Sequence, residues 1–232
     1  MTAVTFDYGQ TLAELDTDFL AKRVAERGGS ASRAALDAAS PVAWEAYNEA
    51  KRQGKGGYDA WSTFMFTLLA AGAKEPADPA ARHALVDFLW SEQPRRNLWR
   101  RPIAGMKELV DDLLAKGTKI AIISNSEGRL SELVAEMGLG TAFRIVADSG
   151  VLGVEKPDPR IFEWTASELG VDARDFVHVG DAWEADVEGA LKVGARAIWV
   201  TPDATLHSLP EAVTACRDAA EIRAALGRLH VL

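Results

Sequence analysis

The stretch Ala3-Val-Thr-Phe-Asp7-Tyr-Gly9-Gln-Thr11-Leu12 decides how this chain is read. A short apolar run ends in a carboxylate, and a glycine and a hydroxyl residue follow within four positions. Asp7 therefore stands where a buried strand breaks into a flexible turn. In an open α/β sheet, ligands bind outside the carboxyl ends of the strands, so an acidic residue there is a candidate for chemistry. An aspartate at such a junction also commonly serves as a local cap and nothing more. What separates the two uses is whether other strand ends carry matching groups.

Three further segments do. Ile120-Ala-Ile-Ile-Ser124-Asn125-Ser126 is again an apolar strand ending in small polar residues, ahead of a helix that includes Leu130, Leu133, Val134 and Met137. A hydroxyl there, with backbone N–H groups at the helix start, makes an anion site; one serine can also be the helix cap. Gly153-Val-Glu155-Lys156-Pro157-Asp158-Pro159 fixes a lysine just before a helix, where it can hold a point charge towards the site. His178-Val-Gly180-Asp181-Ala-Trp-Glu184-Ala-Asp186-Val-Glu-Gly189-Ala190 ends a strand in one carboxylate, with a second five residues on at a helix start. In a parallel sheet these ends lie along one edge. Asp7 and Asp181 brought within ~4 Å would repel by about 4 kcal/mol at an effective dielectric of about 20. Such a pair needs a shared proton or a cation between its members. Magnesium suits the second case, since it takes a few carboxylates, waters and a substrate phosphate.

The rest of the chain supports that sheet. Strands are expected at Val4–Phe6, Lys119–Ile123, Arg144–Val146, Phe176–Val179 and Ala197–Val200, with a weaker one at Val213–Cys216. A helix is expected over Ile103–Lys116, with Ile103, Met106, Val110 and Leu113 on one face and Gly117 ending it. Another opens at Asp158-Pro159. This alternation implies a doubly wound parallel α/β sheet, Rossmann-like in kind. From about residue 15 to 100 the rhythm breaks. That segment is rich in alanine and charge, reads as four or so helices, and holds Trp44, Trp61, Trp90 and Trp99. Gly28-Gly29, Gly54–Gly57 and Pro76–Pro79 read as its turns. A helical insertion after the first strand is expected to cap the sheet's ligand edge, with oligomerisation as the plainer alternative.

The composition narrows the partners. At 232 residues and 48% hydrophobic, the chain can bury a sizeable core, and its net charge is −8 with no Lys/Arg-rich run. Nucleic acid and anionic membrane are therefore not expected as partners. A lone Cys216 excludes an intrachain disulfide and points to a reducing, cytoplasmic setting. No apolar run approaches the ~18–20 residues of a membrane span, and no signal peptide is evident. Monomer and homodimer stay open.

The four segments, in this order, resemble the haloacid dehalogenase-like hydrolase superfamily. The most specific match is Gly180-Asp181-x4-Asp186-Val-x-Gly189-Ala190-x3-Gly194, followed by Ala197-Ile-Trp-Val200. The resemblance implies a Rossmann-like core at residues 1–14 and 101–232, with a helical cap at 15–100 between the first and second motifs. It implies Asp7 as a nucleophile forming an aspartyl-phosphate. It further implies Mg²⁺ held by Asp7, Asp181, Asp186 and the Gly9 carbonyl. Ser124 and Asn125 would bind phosphate, Lys156 would stabilise charge and bind substrate, and the Thr11 hydroxyl would support the nucleophile loop. The expected substrate is a small phosphorylated metabolite.

Position 9 departs from the pattern. Phosphatases of this superfamily usually carry a second aspartate there, which protonates the leaving group and then activates water; this chain has Gly9, followed by Gln10. Good leaving groups such as acyl phosphates, or an acid from elsewhere such as Glu14 or a cap side chain, would compensate. Two other readings share the motif. One is a metal-independent 2-haloacid dehalogenase with the same nucleophile; the other is a weakly active phosphate-ligand-binding protein on this scaffold. Cap residues Trp44, Tyr47, Lys51, Lys55, Tyr58 and Trp61 are candidates to select the substrate.

Overall fold

The computed structural model describes residues 2–232. The chain divides into two compact units, one formed by the residues up to Leu15 with Trp99–Leu232, the other by Asp16–Leu98. In chain order, the first unit opens with β1 (Ala3–Phe6) and β2 (Ala13–Leu15). The second unit contributes α1 (Thr17–Ala25), β3 (Ser30–Ala31), α2 (Arg33–Arg52), α3 (Gly57–Gly72), β4 (Ala73–Glu75) and α4 (Pro79–Glu92). The first unit resumes with β5 (Trp99–Pro102), α5 (Met106–Ala115), β6 (Lys119–Ser124), α6 (Leu130–Glu136), β7 (Val146–Asp148) and α7 (Ser149–Leu152). It ends with α8 (Pro159–Leu169), β8 (Phe176–Gly180), α9 (Gly189–Lys192), β9 (Arg196–Val200), β10 (Val213–Cys216) and α10 (Ala219–Arg228).

Six strands form one parallel sheet in the order β10-β9-β8-β1-β6-β7. Alternate residues of each strand feed opposite faces. Val4, Phe6, Ile120, Ile122, Val177 and Val179 join Met106, Leu109, Leu133 and Ile222 in one core. Ala3, Ala121, Ile123, Phe176 and Trp199 join Ile161, Phe162 and Ala166 in the other. With both faces covered, the central strands read as nearly continuous apolar runs, as parallel strands do. Burying a side chain such as Phe162 contributes roughly 1.5–3 kcal/mol. β1 has β6 on one side and β8 on the other, so strand order reverses beside it and a crevice opens at their carboxyl ends.

Four expectations need correction. Helix α5 begins at Met106 rather than Ile103, because Gly105 turns left-handed at φ 79° and breaks the helical run before it. β7 runs over Val146–Asp148, two residues later than expected at each end, because it pairs with only the last half of β6, Ile122–Ser124. Trp99 lies on β5, paired with Leu15 in the first unit, and not among the inserted helices. The second unit also holds a short antiparallel ribbon, β3–β4, too brief to give a period-two signal.

Within that unit α1–α4 are four helices with their own core, including Leu36, Phe64, Met65, Leu68 and Leu89. Trp44 and Tyr47 pack on Phe64, with centroids 4.3 and 6.4 Å away, and Tyr58 and Trp61 pack on Trp90 at 5.5 and 5.1 Å. Arg23, 1% exposed, pairs with Glu26 beneath the Phe88 ring. Among the described residues no helix is long and apolar enough to cross a membrane.

Candidate active site

The backbone places Asp7 before its side chain does anything. Its N–H donates to the Val179 carbonyl at 2.8 Å, extending the β1–β8 ladder one residue past β1. The residue is 7% exposed. Its Oδ1 accepts from Ser124 Oγ at 2.9 Å and from Lys156 Nζ at 2.6 Å. Both donors converge on one oxygen, so Oδ2 is left free of protein donors among the described residues. Ser124 arrives on the last residue of β6, and Lys156 from the loop before α8.

Lys156 bridges two carboxylates, with its Nζ also 2.5 Å from Asp186 Oδ1. Its loop is clamped by Asn125, whose amide donates to the Lys156 carbonyl at 2.9 Å and accepts the Lys156 N–H at 2.7 Å. Asp186 lies in a π-helical turn, Trp183–Glu188, that leads into α9. Its Oδ2 accepts the Ala182 N–H at 2.9 Å. A Cβ on Gly180 would come within 2.3 Å of Asp186 Cγ, so only glycine lets that carboxylate reach its place. The Asp181 main chain is fixed by Trp199, whose indole N–H donates to its carbonyl at 2.9 Å.

Carboxylate oxygens of Asp7, Asp181 and Asp186 lie within 4.8 Å of one another. At that distance each pair repels by about 3–4 kcal/mol at an effective dielectric of about 20. Lys156 compensates only part of the charge. Burial pushes the Asp7 carboxyl up; the Lys156 ammonium draws it back, and the Asp186 charge pushes it again. Asp181 is raised well above the usual range, first by burial and then by Asp7 and Asp186. Burial opposes the charge on Asp186 too, but Lys156 and His178 outweigh it and hold that carboxyl low. Burial likewise opposes the charge on Lys156, and Asp186 with Asp7 outweighs it, so the ammonium is pushed up to about 12. When all three are ionised, three carboxylates against one ammonium leave two uncompensated negative charges, most acutely at Asp181. A hard divalent cation with an oxygen donor set fits that deficit.

Several expected roles come out differently. The Asn125 side chain is spent on Lys156, which makes it a holder of the lysine loop rather than a free phosphate donor. Among the described residues the buried Thr11 hydroxyl has no hydrogen-bond partner, so no side-chain bond from it braces the loop. Ser124 and Ser126 cap no helix: α6 opens only at Leu130, and Asp148 takes its first N–H groups. Asp148 accepts from Gly128 at 3.1 Å and from Leu130 at 2.9 Å, so those groups do not form an anion site. Glu14 is engaged by Arg101 at 2.8 Å on the β2–β5 ribbon. Two buried groups lie outside the expected set: His178, inside a strand, carries no motif signal, whereas Asp148 ends the apolar run Ile145-Val146-Ala147 much as Asp7 ends its own.

Residues 1–194 match the profile of the haloacid dehalogenase-like hydrolases. The chain belongs to that family. Over 131 residues it is 29% identical to haloacid dehalogenase-like hydrolase domain-containing protein 3 of Mus musculus, covering 56% of this chain and 52% of that protein. Over 132 residues it is 37% identical to a phosphoserine phosphatase of Thermus thermophilus, covering 56% of this chain and 49% of that protein. The chain thus spans about half the length of the curated relatives it matches. The haloacid dehalogenase-like hydrolase YfnB of Bacillus subtilis, solved bound to magnesium, superposes with a TM-score of 0.69 at 20% identity, covering 97% of this chain and 98% of that one. That likeness concerns the fold.

Proposed function

We propose that this member of the family is a Mg²⁺-dependent phosphohydrolase acting on a small phosphorylated metabolite through an aspartyl-phosphate at Asp7. One observation carries the reading. A carboxylate held through one oxygen by Ser124 and Lys156 stands within 4.8 Å of two further carboxylates, a cluster that is short of positive charge. Asp7, Asp181 and Asp186, with the Gly9 carbonyl, would hold the ion, and its charge would neutralise the phosphoryl oxygens while they are close to Asp7. A dehalogenase needs no such ion and would keep the Asp181 charge uncompensated beside its nucleophile. The phosphatase named among the relatives supports the same choice.

Asp7 Oδ2 forms a bond to phosphorus as the bond from phosphorus to the leaving oxygen breaks, and that oxygen departs with the electron pair. Lys156 stays on Oδ1 and offsets the negative charge of the incoming phosphoryl group. Water then attacks phosphorus, the bond from Asp7 Oδ2 to phosphorus breaks, and the carboxylate returns as phosphate leaves with the water's oxygen and its protons. Neither step has a carboxyl at position 9 to move a proton. Leaving groups that need no protonation, such as the carboxylate of an acyl phosphate, are therefore favoured, and the aspartyl-phosphate is long-lived. General acid–base help of this kind is typically worth ~10²–10⁴ in rate, while positioning and charge carry the rest.

The test is hydrolysis of p-nitrophenyl phosphate and acetyl phosphate, with Mg²⁺ or with chelator, beside Asp7→Asn. Metal-dependent release that disappears in the variant is the expected result. Full activity in excess chelator, or halide release from a 2-haloacid without metal, would overturn the reading.

A further inference from the structure

His178 is fully buried on β8, two residues before Gly180, and the reaction above makes no use of it. It sits opposite Thr5 of β1 in the parallel register, and both residues are at 0% exposure. Thr5 Oγ1 and His178 Nδ1 are 2.8 Å apart. The other ring nitrogen, Nε2, is 3.1 Å from Asp186 Oδ1, and the Phe162 ring meets the imidazole edge-on at 5.2 Å. A carboxylate only accepts, so Nε2 must carry the proton that points at Asp186. In a neutral ring Nδ1 is then the acceptor, and the Thr5 hydroxyl donates to it. The Asp186 oxygen that receives His178 is the one that holds Lys156, and Lys156 in turn touches Asp7.

We propose that His178, its tautomer set by Thr5, is a positioning residue that fixes Asp186 so that Lys156 is held against Asp7. Asp186 Oδ2 is anchored to the main chain through Ala182. Without His178, Oδ1 has Lys156 as its one side-chain partner, and the carboxylate pivots about the Ala182 contact. Lys156 then no longer shares its charge between the two aspartates in a single geometry. A hydrogen bond to a charged group contributes about 1.5–3 kcal/mol, so a loss of about tenfold or more in Lys156 placement is the scale to expect.

The experiment pairs a reading of Lys156 itself with a reading of turnover. Competitive acylation of lysines, followed by mass spectrometry of the folded full chain, reports how well Lys156 is held, whether or not the protein turns over any substrate. Thr5→Val and His178→Leu are expected to raise Lys156 labelling about tenfold, while His178→Gln, which can still present an N–H to Asp186, stays near wild type. Nitrogen-15 spectra of the histidines should show the Nε2–H tautomer for the signal that vanishes in His178→Gln. Turnover of acetyl phosphate should fall in kcat by about tenfold with KM little changed in Thr5→Val, and recover in His178→Gln relative to His178→Leu. A wild-type Nδ1–H tautomer, or folded Thr5→Val and His178→Leu proteins with unchanged Lys156 labelling, would overturn the proposal. The kinetic arm rests on the phosphohydrolase reading. Wild type without any Asp7-dependent turnover would sink that reading, and the labelling and the tautomer would still decide this one.

Discussion

A side chain at position 9 would have room. A Cβ built on Gly9 comes no closer than 3.7 Å to Trp99 Cδ1, and the backbone there is not in the left-handed region. The glycine is therefore not demanded by the fold, unlike Gly180, where a Cβ would strike Asp186. The tension in this turn lies one residue later, at Gln10, whose φ of 56° is one that L residues adopt at a cost. Nearby acids do not fill the gap at position 9. Glu14 is paired with Arg101, and the Tyr8 hydroxyl donates to the Trp99 carbonyl at 2.9 Å. Gly9→Asp should accordingly fold like wild type and supply the missing proton donor. The expected outcome is a gain of about 10²-fold in kcat on alkyl phosphates, whose leaving groups need a proton, with little gain on acetyl phosphate. Steady-state kinetics on the two substrates check it; an equal effect on both would show that proton transfer is not what position 9 lacks.

The loop after β6 is shaped by an element that comes later in the chain. β7 ends in Asp148, 3% exposed, whose carboxylate accepts three backbone N–H groups, from Gly128, Leu130 and Gly150. Ser149 adds an exchange with Ser126, accepting its N–H at 3.0 Å and donating to its carbonyl at 3.2 Å. The approach is close enough that a Cβ on Gly150 would come within 2.5 Å of the Gly128 nitrogen. Asp148→Ala leaves buried donors without a partner and should destabilise the protein by about 1–3 kcal/mol. A lower urea midpoint, together with a raised KM for the phosphorylated substrate, is the expected pair of readings; an unchanged midpoint would remove Asp148 from this role. Elements of this kind explain what the sequence could and could not disclose. Asp7, Ser124 and Asp181 were legible because each breaks an apolar run at a strand end, and α8 because Asp158-Pro159 is a local helix start. Asp148 also ends an apolar run, Ile145-Val146-Ala147, but its role is set by Gly128 and Leu130, 20 and 18 residues back, and His178 lies inside a strand, bonded to Thr5 173 residues away. The π-helical turn that delivers Asp186, and the left-handed Gly105 that delays α5, likewise lie outside what a local period encodes.

For the molecule as a whole, the carboxylate cluster ties stability to its ligand. The chain carries a net charge of −8, and in the cluster Asp181 is the group least compensated by Lys156. Its folded-state pKa is raised well above the ordinary value. The sign follows directly: a carboxyl raised on folding adds stability while it is protonated, below its ordinary pKa, and that stability is lost as pH rises through the folded value. At neutral pH without added metal, Asp181 therefore works against the fold. Two unlike changes should relieve it. On the proposed reading Mg²⁺ would bind the native state alone, and at a hundred times its dissociation constant it would add about 2.7 kcal/mol. Asp181→Asn removes the charge and should raise the melting temperature of the metal-free protein while abolishing turnover. Because both act on the same excess charge, they should not add: in Asp181→Asn, Mg²⁺ should shift the melting temperature far less than in wild type. Acidification should likewise raise the melting temperature of metal-free wild type relative to metal-free Asp181→Asn. Differential scanning calorimetry of the two proteins, with Mg²⁺ and with chelator at two pH values, measures all of this. Equal Mg²⁺ shifts in both proteins would mean that the ion binds elsewhere and that Asp181 is not its ligand.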